Sequence, residues 1–180
     1  MRINIFGASG AGTTTLGRML SAELQCRFLD ADDLYWEKTD PPYTKKVPKK
    51  ERIARLHQIY DTFDAIIITG GLMSWGAGWE AKFDLSIFVS LPHQLRMERL
   101  QQREQERYGA SLVSNADIRK NSEAFLAWAG EYDNPNFDGK NITRHQRWIA
   151  QIQHPLIRIE NTGTKADLKR DAMQQIQPYL

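Results

Sequence analysis

A single cysteine, Cys26, leaves this chain of 180 residues without an intrachain disulfide, a composition suited to a reducing compartment. Cys26 itself reads as a small core residue rather than a reactive thiol. Long hydrophobic runs are also missing, and strand-sized runs argue against a transmembrane span. The amino terminus enters an apolar strand with no small-residue cleavage site, so the cytoplasm is the expected compartment and no membrane partner is expected. Neither charge sign dominates: 24 Lys and Arg against 22 Asp and Glu give a formal net charge of +2. A nucleic-acid partner is therefore not expected, and any basic site must be local. His57, His93, His145 and His154 lack metal-ligand spacing and read as surface or satisfied histidines.

What is present alternates. Met1–Phe6 reads as a first strand, followed by a glycine turn and a helix from Thr13 with Leu16, Leu20 and Leu24 at helical spacing. Residues 26–29 suggest a second short strand that ends in the acidic cluster Asp30-Ala31-Asp32-Asp33, where a loop should begin. Residues 51–63 resume a helical pattern. Residues 65–69 and 85–89 are continuous apolar runs of the kind that fill parallel strands buried on both faces. Residues 156–159 supply a last strand, and Thr164 with Asp167 three residues on marks the start of a final helix.

This order predicts a single α/β domain spanning 1–180, three-layer α/β/α, with a mostly parallel central sheet of about five strands. Right-handed crossovers bring strand C-termini to one edge, where ligands bind in such folds. Two segments stand out from this frame. Residues 37–50 are rich in proline and lysine and are expected to be an exposed, mobile basic segment. Residues 96–148 are polar and aromatic and begin with a row of arginines.

The glycine turn carries the most specific signal. The phosphate-loop pattern G-x-x-x-x-G-K-[ST] is met by Gly7, Ala8, Ser9, Gly10, Ala11, Gly12, Thr13 and Thr14 in a strand-to-helix context, except that Thr13 stands in place of lysine. Inward backbone N–H groups and a helix N-terminus still favour an anion there. Thr14 aligns with the hydroxyl that binds Mg²⁺, and Thr15 completes the polar run. Two other readings of the turn remain open. One is plain capping chemistry. The other is a dinucleotide-binding Rossmann turn, with Asp30 placed as a ribose-binding acid, although no glycine stands at position 13 or 15.

On these residues the chain resembles the P-loop nucleoside and small-molecule kinases, the group of adenylate kinase and shikimate kinase, including members with a G-A-S-G-x-G-T-T-T loop. The resemblance implies ATP and Mg²⁺ as cofactors and a small-molecule acceptor: a nucleoside monophosphate, a sugar or a small acid. Phe28 to Asp33 is similar to the D-x-D of shikimate-kinase-like enzymes. By that likeness Asp30 leans towards the metal and Asp32 towards the acceptor hydroxyl, as orienter or weak base. Gly70-Gly71 resembles the glycine turn against which acceptors lie, and Asn161-Thr162-Gly163 sits where related kinases hold adenine.

Arg96, Arg99, Arg103 and Arg107 follow at spacings of three, four and four, within roughly 80° of one helix face. An anion would offset their mutual repulsion, and the resemblance to adenylate-kinase-like enzymes implies a helical lid and acceptor region over residues 96–148, with Arg99, Arg103 and Arg107 on the transferring phosphoryl group. Lid arginines or a lysine of residues 38–50 are candidates to replace the charge absent at Thr13. The expected function is an ATP-dependent phosphotransferase, monomeric or homodimeric. Its alternatives are a nucleotide-binding regulatory protein with little catalysis and an NAD(P)-dependent oxidoreductase.

Overall fold

A computed structural model describes residues 1–180. Five strands run parallel in the order β2-β3-β1-β4-β5: β1 (Arg2–Gly7), β2 (Arg27–Asp30), β3 (Ile66–Thr69), β4 (Leu85–Ser90) and β5 (Leu156–Glu160). The sheet is entirely parallel. Because β3, not β2, lies beside β1, the order departs from the 3-2-1-4 core of a dinucleotide-binding Rossmann sheet, which removes that reading of the glycine turn.

Strand side chains alternate between two apolar layers. Ile3, Ile5, Ile67, Leu85, Ile87 and Val89 join Leu16 and Leu20 of α1 (Thr13–Glu23) and Leu168, Ala172 and Ile176 of α8 (Lys165–Ile176) on one face. Phe6, Ile66, Ile68 and Phe88 meet Leu56 and Tyr60 of α3 (Lys49–Thr62), the connection carrying Leu72, Trp75, Trp79 and Phe83, and Trp148 of α7 (Ile142–Ile149) on the other. Such double-sided burial explains why β3 and β4 are nearly unbroken apolar runs. Trp75 and Trp79 are buried here as packing, leaving neither free to stack on a ligand. No helix is long and apolar enough to cross a membrane.

Local signals set most boundaries. Pro48 and Pro92, with φ of −51° each, precede α3 and α4 (His93–Tyr108), as expected of a residue already fixed near helical φ and lacking a donor. Thr164 and Asp167 form the reciprocal capping box at α8. The acidic cluster, expected to open a loop, instead winds into the short α2 (Asp32–Tyr35), its first turn favoured by Asp32 and Asp33 against the helix dipole. Beyond α4 come α5 (Ser111–Ser114) and α6 (Ala116–Gly130), the latter capped by Asn115 through the amides of Asp117 and Ile118.

In-register pairing aligns the strand C-termini. Asp30 pairs with Thr69, Ile5 with Thr69, Gly7 with Val89 and Ser90 with Glu160, so every loop carrying a candidate residue leaves the same edge.

Candidate active site

The floor of the site is the turn between β1 and α1. Gly10 and Gly12 have φ of +85° and +99°, a backbone conformation that turns successive N–H groups inward and that glycine adopts without strain. No side chain caps the first turn of α1. Its amides therefore stay available to an oxygen anion, which the dipole also favours, and simple capping does not account for Thr13, Thr14 and Thr15.

Thr14 joins this turn to the acidic cluster. Its Oγ1 donates to Asp30 Oδ2 at 2.8 Å, while Asp30 Oδ1 accepts from the Asp32 amide at 3.1 Å. Both carboxylate oxygens are thus oriented, and Asp30 projects from the end of β2 beside the helix N-terminus. A hydroxyl paired with a carboxylate next to a phosphate cradle is a fitting oxygen donor set for Mg²⁺.

Asp32 lies alongside. Its side chain is exposed to solvent yet closely surrounded by protein, and this desolvation raises its pKa above the carboxylate norm, with the nearby Asp30 charge adding to the effect. Lys140 and Arg103 pull in the opposite direction. The group is therefore a better proton acceptor than an ordinary aspartate while still facing two cations.

The four arginines of α4 do not gather as one set. Arg96 is fully buried: its Nη1 donates to Ala129 O at 3.1 Å and its Nη2 to Asp133 Oδ2 at 2.6 Å, tying α4 to the end of α6. Arg99 Nη2 donates to Asn161 O at 3.1 Å. Arg107 pairs with Glu104 at 3.1 Å and lies over the Tyr43 ring at 4.8 Å, so the end of α4 meets residues 37–50. Arg103 forms no ion pair, stacks over Phe125 at 5.3 Å and has a buried Nε without a partner. Among residues 37–50, Lys45 pairs with Glu37 at 2.9 Å, Lys46 faces the Tyr35 and Trp36 rings, and Val47 is buried.

A wall of the site next to α4 is built by the segment after β5, whose Asn161 carbonyl Arg99 already holds. Asn161 Nδ2 donates to Ala11 O at 2.8 Å and would lie 2.5 Å from a Cβ at Gly12, so this asparagine fits against the glycine turn only because residue 12 has no side chain. The loop containing Thr162 and Gly163 therefore borders the glycine turn.

Three residues that sequence reasoning did not select enter the site's frame. Lys140 is half-buried near Ser9, Asp30 and Asp32. His145, read as a surface or satisfied histidine, is fully buried among Phe6, Phe88 and Tyr132. Its Nδ1 shares a 2.6 Å hydrogen bond with the Tyr132 hydroxyl, Nε2 has no partner, and burial drives its pKa to about 2. Arg147 joins Lys49, Met73, Glu80, Arg144 and Trp148 around a cleft of about 480 Å³ beyond β3. The strong amphipathic pattern of α7 was the available signal for His145 and Trp148; no local pattern marks Lys140.

The AAA domain family matches residues 3–124, a span that includes the glycine turn, the acidic cluster and α4. The chain belongs to the P-loop kinase superfamily. Over 159 residues it is 36% identical to the uncharacterized protein YqaC of Bacillus subtilis (strain 168), covering 88% of each chain. It is 30% identical over 121 residues to a cytidylate kinase of Methanocorpusculum labreanum, covering 58% of this chain and 63% of that one. In fold it resembles the shikimate kinase from Acinetobacter baumannii in complex with shikimate, with a TM-score of 0.58, 19% identity, and 99% and 93% of the two chains covered. These likenesses support a kinase acting on a small molecule.

Proposed function

We propose that the protein transfers the γ-phosphoryl group of ATP, with Mg²⁺, to the hydroxyl or phosphate of a small anionic acceptor. The observation that carries this reading is the Thr14–Asp30 hydrogen bond of 2.8 Å, set against the left-handed Gly10 and Gly12 and next to a carboxylate of raised pKa, Asp32. Gly7 to Thr15 would cradle the phosphates with backbone amides, and Thr14 with Asp30 would hold the metal. Bound Mg²⁺ supplies neutralisation of phosphate charge. Asp32 would orient the acceptor hydroxyl and take its proton. Arg103, without an ion pair, is free to approach the transferring group, whereas Arg99 and Arg107 would first exchange Asn161 O and Glu104 for it.

The cleft beyond β3 supports an anionic acceptor. Lys49, Arg144 and Arg147 outnumber its single acid, Glu80, and the only partner among those three cations is Asp138, which pairs with Arg144 at 2.9 Å on the surface. A nucleoside monophosphate or a small acid suits this lining better than a neutral sugar.

Calorimetric titration with a non-hydrolysable ATP analogue and with NADPH, each with and without Mg²⁺, tests the reading on wild type and Gly12→Val. Magnesium-dependent analogue binding that disappears in the variant is expected. Tight analogue binding with no ADP release in the presence of any small acid, sugar or nucleoside monophosphate would instead favour a regulatory nucleotide-binding role, which Thr13 in place of lysine makes the specific second reading.

A further inference from the structure

We propose that Lys140, carried on the connection between α6 and α7, supplies to the phosphate chain of a nucleoside triphosphate the positive charge that the glycine turn lacks at Thr13. This rests on the kinase reading above. The cations around the turn divide by what already holds them. Arg96 is committed to Asp133 and Ala129, Arg99 to Asn161, Arg107 to Glu104, and Lys45 to Glu37. Arg18 and Lys38 lie towards Asp33, at the outer end of the acidic cluster, whereas Lys140 and Arg103 are the cations that face Asp32, neither with an ion pair or hydrogen bond to it.

Their positions differ in a way that assigns them. Arg103 interacts with the Asp32 charge but sits with Arg107 and Glu104 on the α4 side. Lys140 interacts with both Asp32 and Asp30 and lines a small gap with Ser9 of the glycine turn, together with Trp128, Ala129 and Tyr132. It is therefore the cation next to both the turn and the Thr14–Asp30 corner, where a lysine at position 13 would otherwise act. A lysine suits that task, being a compact point charge on a flexible stem.

The segment is also built to hold it there. Asn141 is buried, donates through Nδ2 to Phe137 O at 2.6 Å and accepts at Oδ1 from the Arg144 amide at 2.8 Å, fixing the residue next to Lys140. Gly139 on the other side packs so closely under Phe137 and Trp128 that any Cβ would collide, lying 2.9 Å from Trp128 Nε1. Buried Arg96 ties down Ala129 and Asp133 at the base of the same connection. Such fixation costs conformational freedom that a purely solvated lysine would not require.

The test measures binding rather than turnover. Titration of Mg²⁺ with a non-hydrolysable ATP analogue into wild type, Lys140→Met, Lys140→Arg and the double variant Lys140→Met/Thr13→Lys should show affinity falling about 10- to 100-fold in Lys140→Met, the worth of one charge-assisted contact. Partial recovery is expected in Lys140→Arg and recovery in the double variant, with melting temperatures recording folding separately. Adenosine, which carries no phosphate, should bind Lys140→Met as it binds wild type. On wild type alone, the analogue should slow acetylation of Lys140, followed by mass spectrometry, which keeps the proposal testable if a variant does not fold. Equal analogue affinity in wild type and Lys140→Met, or no protection from acetylation, would overturn this assignment and leave the kinase reading intact. Absence of analogue binding to wild type would overturn both.

Discussion

Replacing Gly12 by alanine places two separable penalties on the same atom. With φ of +99° and ψ of 16°, the residue occupies a left-handed conformation that costs an L-side chain about 1–2 kcal/mol. The new Cβ would also stand 2.5 Å from Asn161 Nδ2, well inside contact distance, so the amide must leave its 2.8 Å bond to Ala11 O. That bond is buried, and a buried acceptor left unpaired costs about 1–3 kcal/mol. The sum, about 2–5 kcal/mol, is a large share of the stability of a domain this size, about 5–15 kcal/mol. Urea denaturation reads it directly: with a slope of about 2 kcal/mol per molar, the midpoint should fall by about 1–2.5 M. Asn161→Ala separates the parts, since it removes the obstructing amide and the bond together. Gly12→Ala added to Asn161→Ala should then cost only the backbone share, well below the sum of the single changes. Strict additivity, or a Gly12→Ala protein with the wild-type midpoint, would refute the claim that Asn161 is fitted to the glycine.

Asp32→Asn should lower kcat for transfer to the acceptor by about 10²- to 10⁴-fold with little change in KM for ATP, as loss of a positioned base does; a change in KM alone would assign Asp32 to binding. Because Asp32 acts ionised and its pKa is raised by burial and Asp30, the acidic limb of kcat/KM in wild type should rise through a pKa above the ordinary carboxylate range; a limb at or below that range would contradict the role. His145 is neutral and buried with its pKa lowered to about 2, against 6.5 for the free side chain, so its contribution to stability is complete above pH 6.5 and is lost as pH falls towards the folded value. Denaturation at pH 7 and pH 5 should differ by about 2 kcal/mol from this group, and Tyr132→Phe/His145→Phe should remove that share; parallel pH slopes in the two proteins would exclude it. Thr164→Ala should cost about 1 kcal/mol by opening the capping box of α8 while leaving nucleotide affinity unchanged, measured by urea melt and calorimetry.

The layered sheet was legible because its signals are local. Residues 65–69 and 85–89 are apolar on both faces, which only a covered parallel strand tolerates, and both lie where expected, as Ile66–Thr69 and Leu85–Ser90. The glycine turn was equally legible, since its unusual backbone angles are written into residue type at Gly10 and Gly12. Arg96 shows where such reading stops. Periodicity places it on the same face as Arg99, Arg103 and Arg107, yet it is buried, because Asp133, 37 residues away, and the Ala129 carbonyl satisfy its guanidinium. A helical wheel reports which residues share a face; it carries no information about which partner that face meets.

The same limit governs the site's walls. Asn161 lies 150 residues from Ala11, yet their hydrogen bond fits the segment after β5 to the glycine turn through a contact that requires Gly12 to be glycine. Lys140 comes from a polar and aromatic stretch whose local pattern does not say which side chain turns inward. The decision is made by Gly139 and Asn141 on either side of it and by Arg96 beneath, each through a close approach or a buried bond that exists only after folding. An absence at position 13 can therefore be read from the sequence, whereas its replacement can be found only where the folded chain brings an unpaired cation to the same corner. If Lys140 fills that place, the glycine turn and the connection between α6 and α7 are two halves of one phosphate site, and neither half alone should bind a triphosphate tightly.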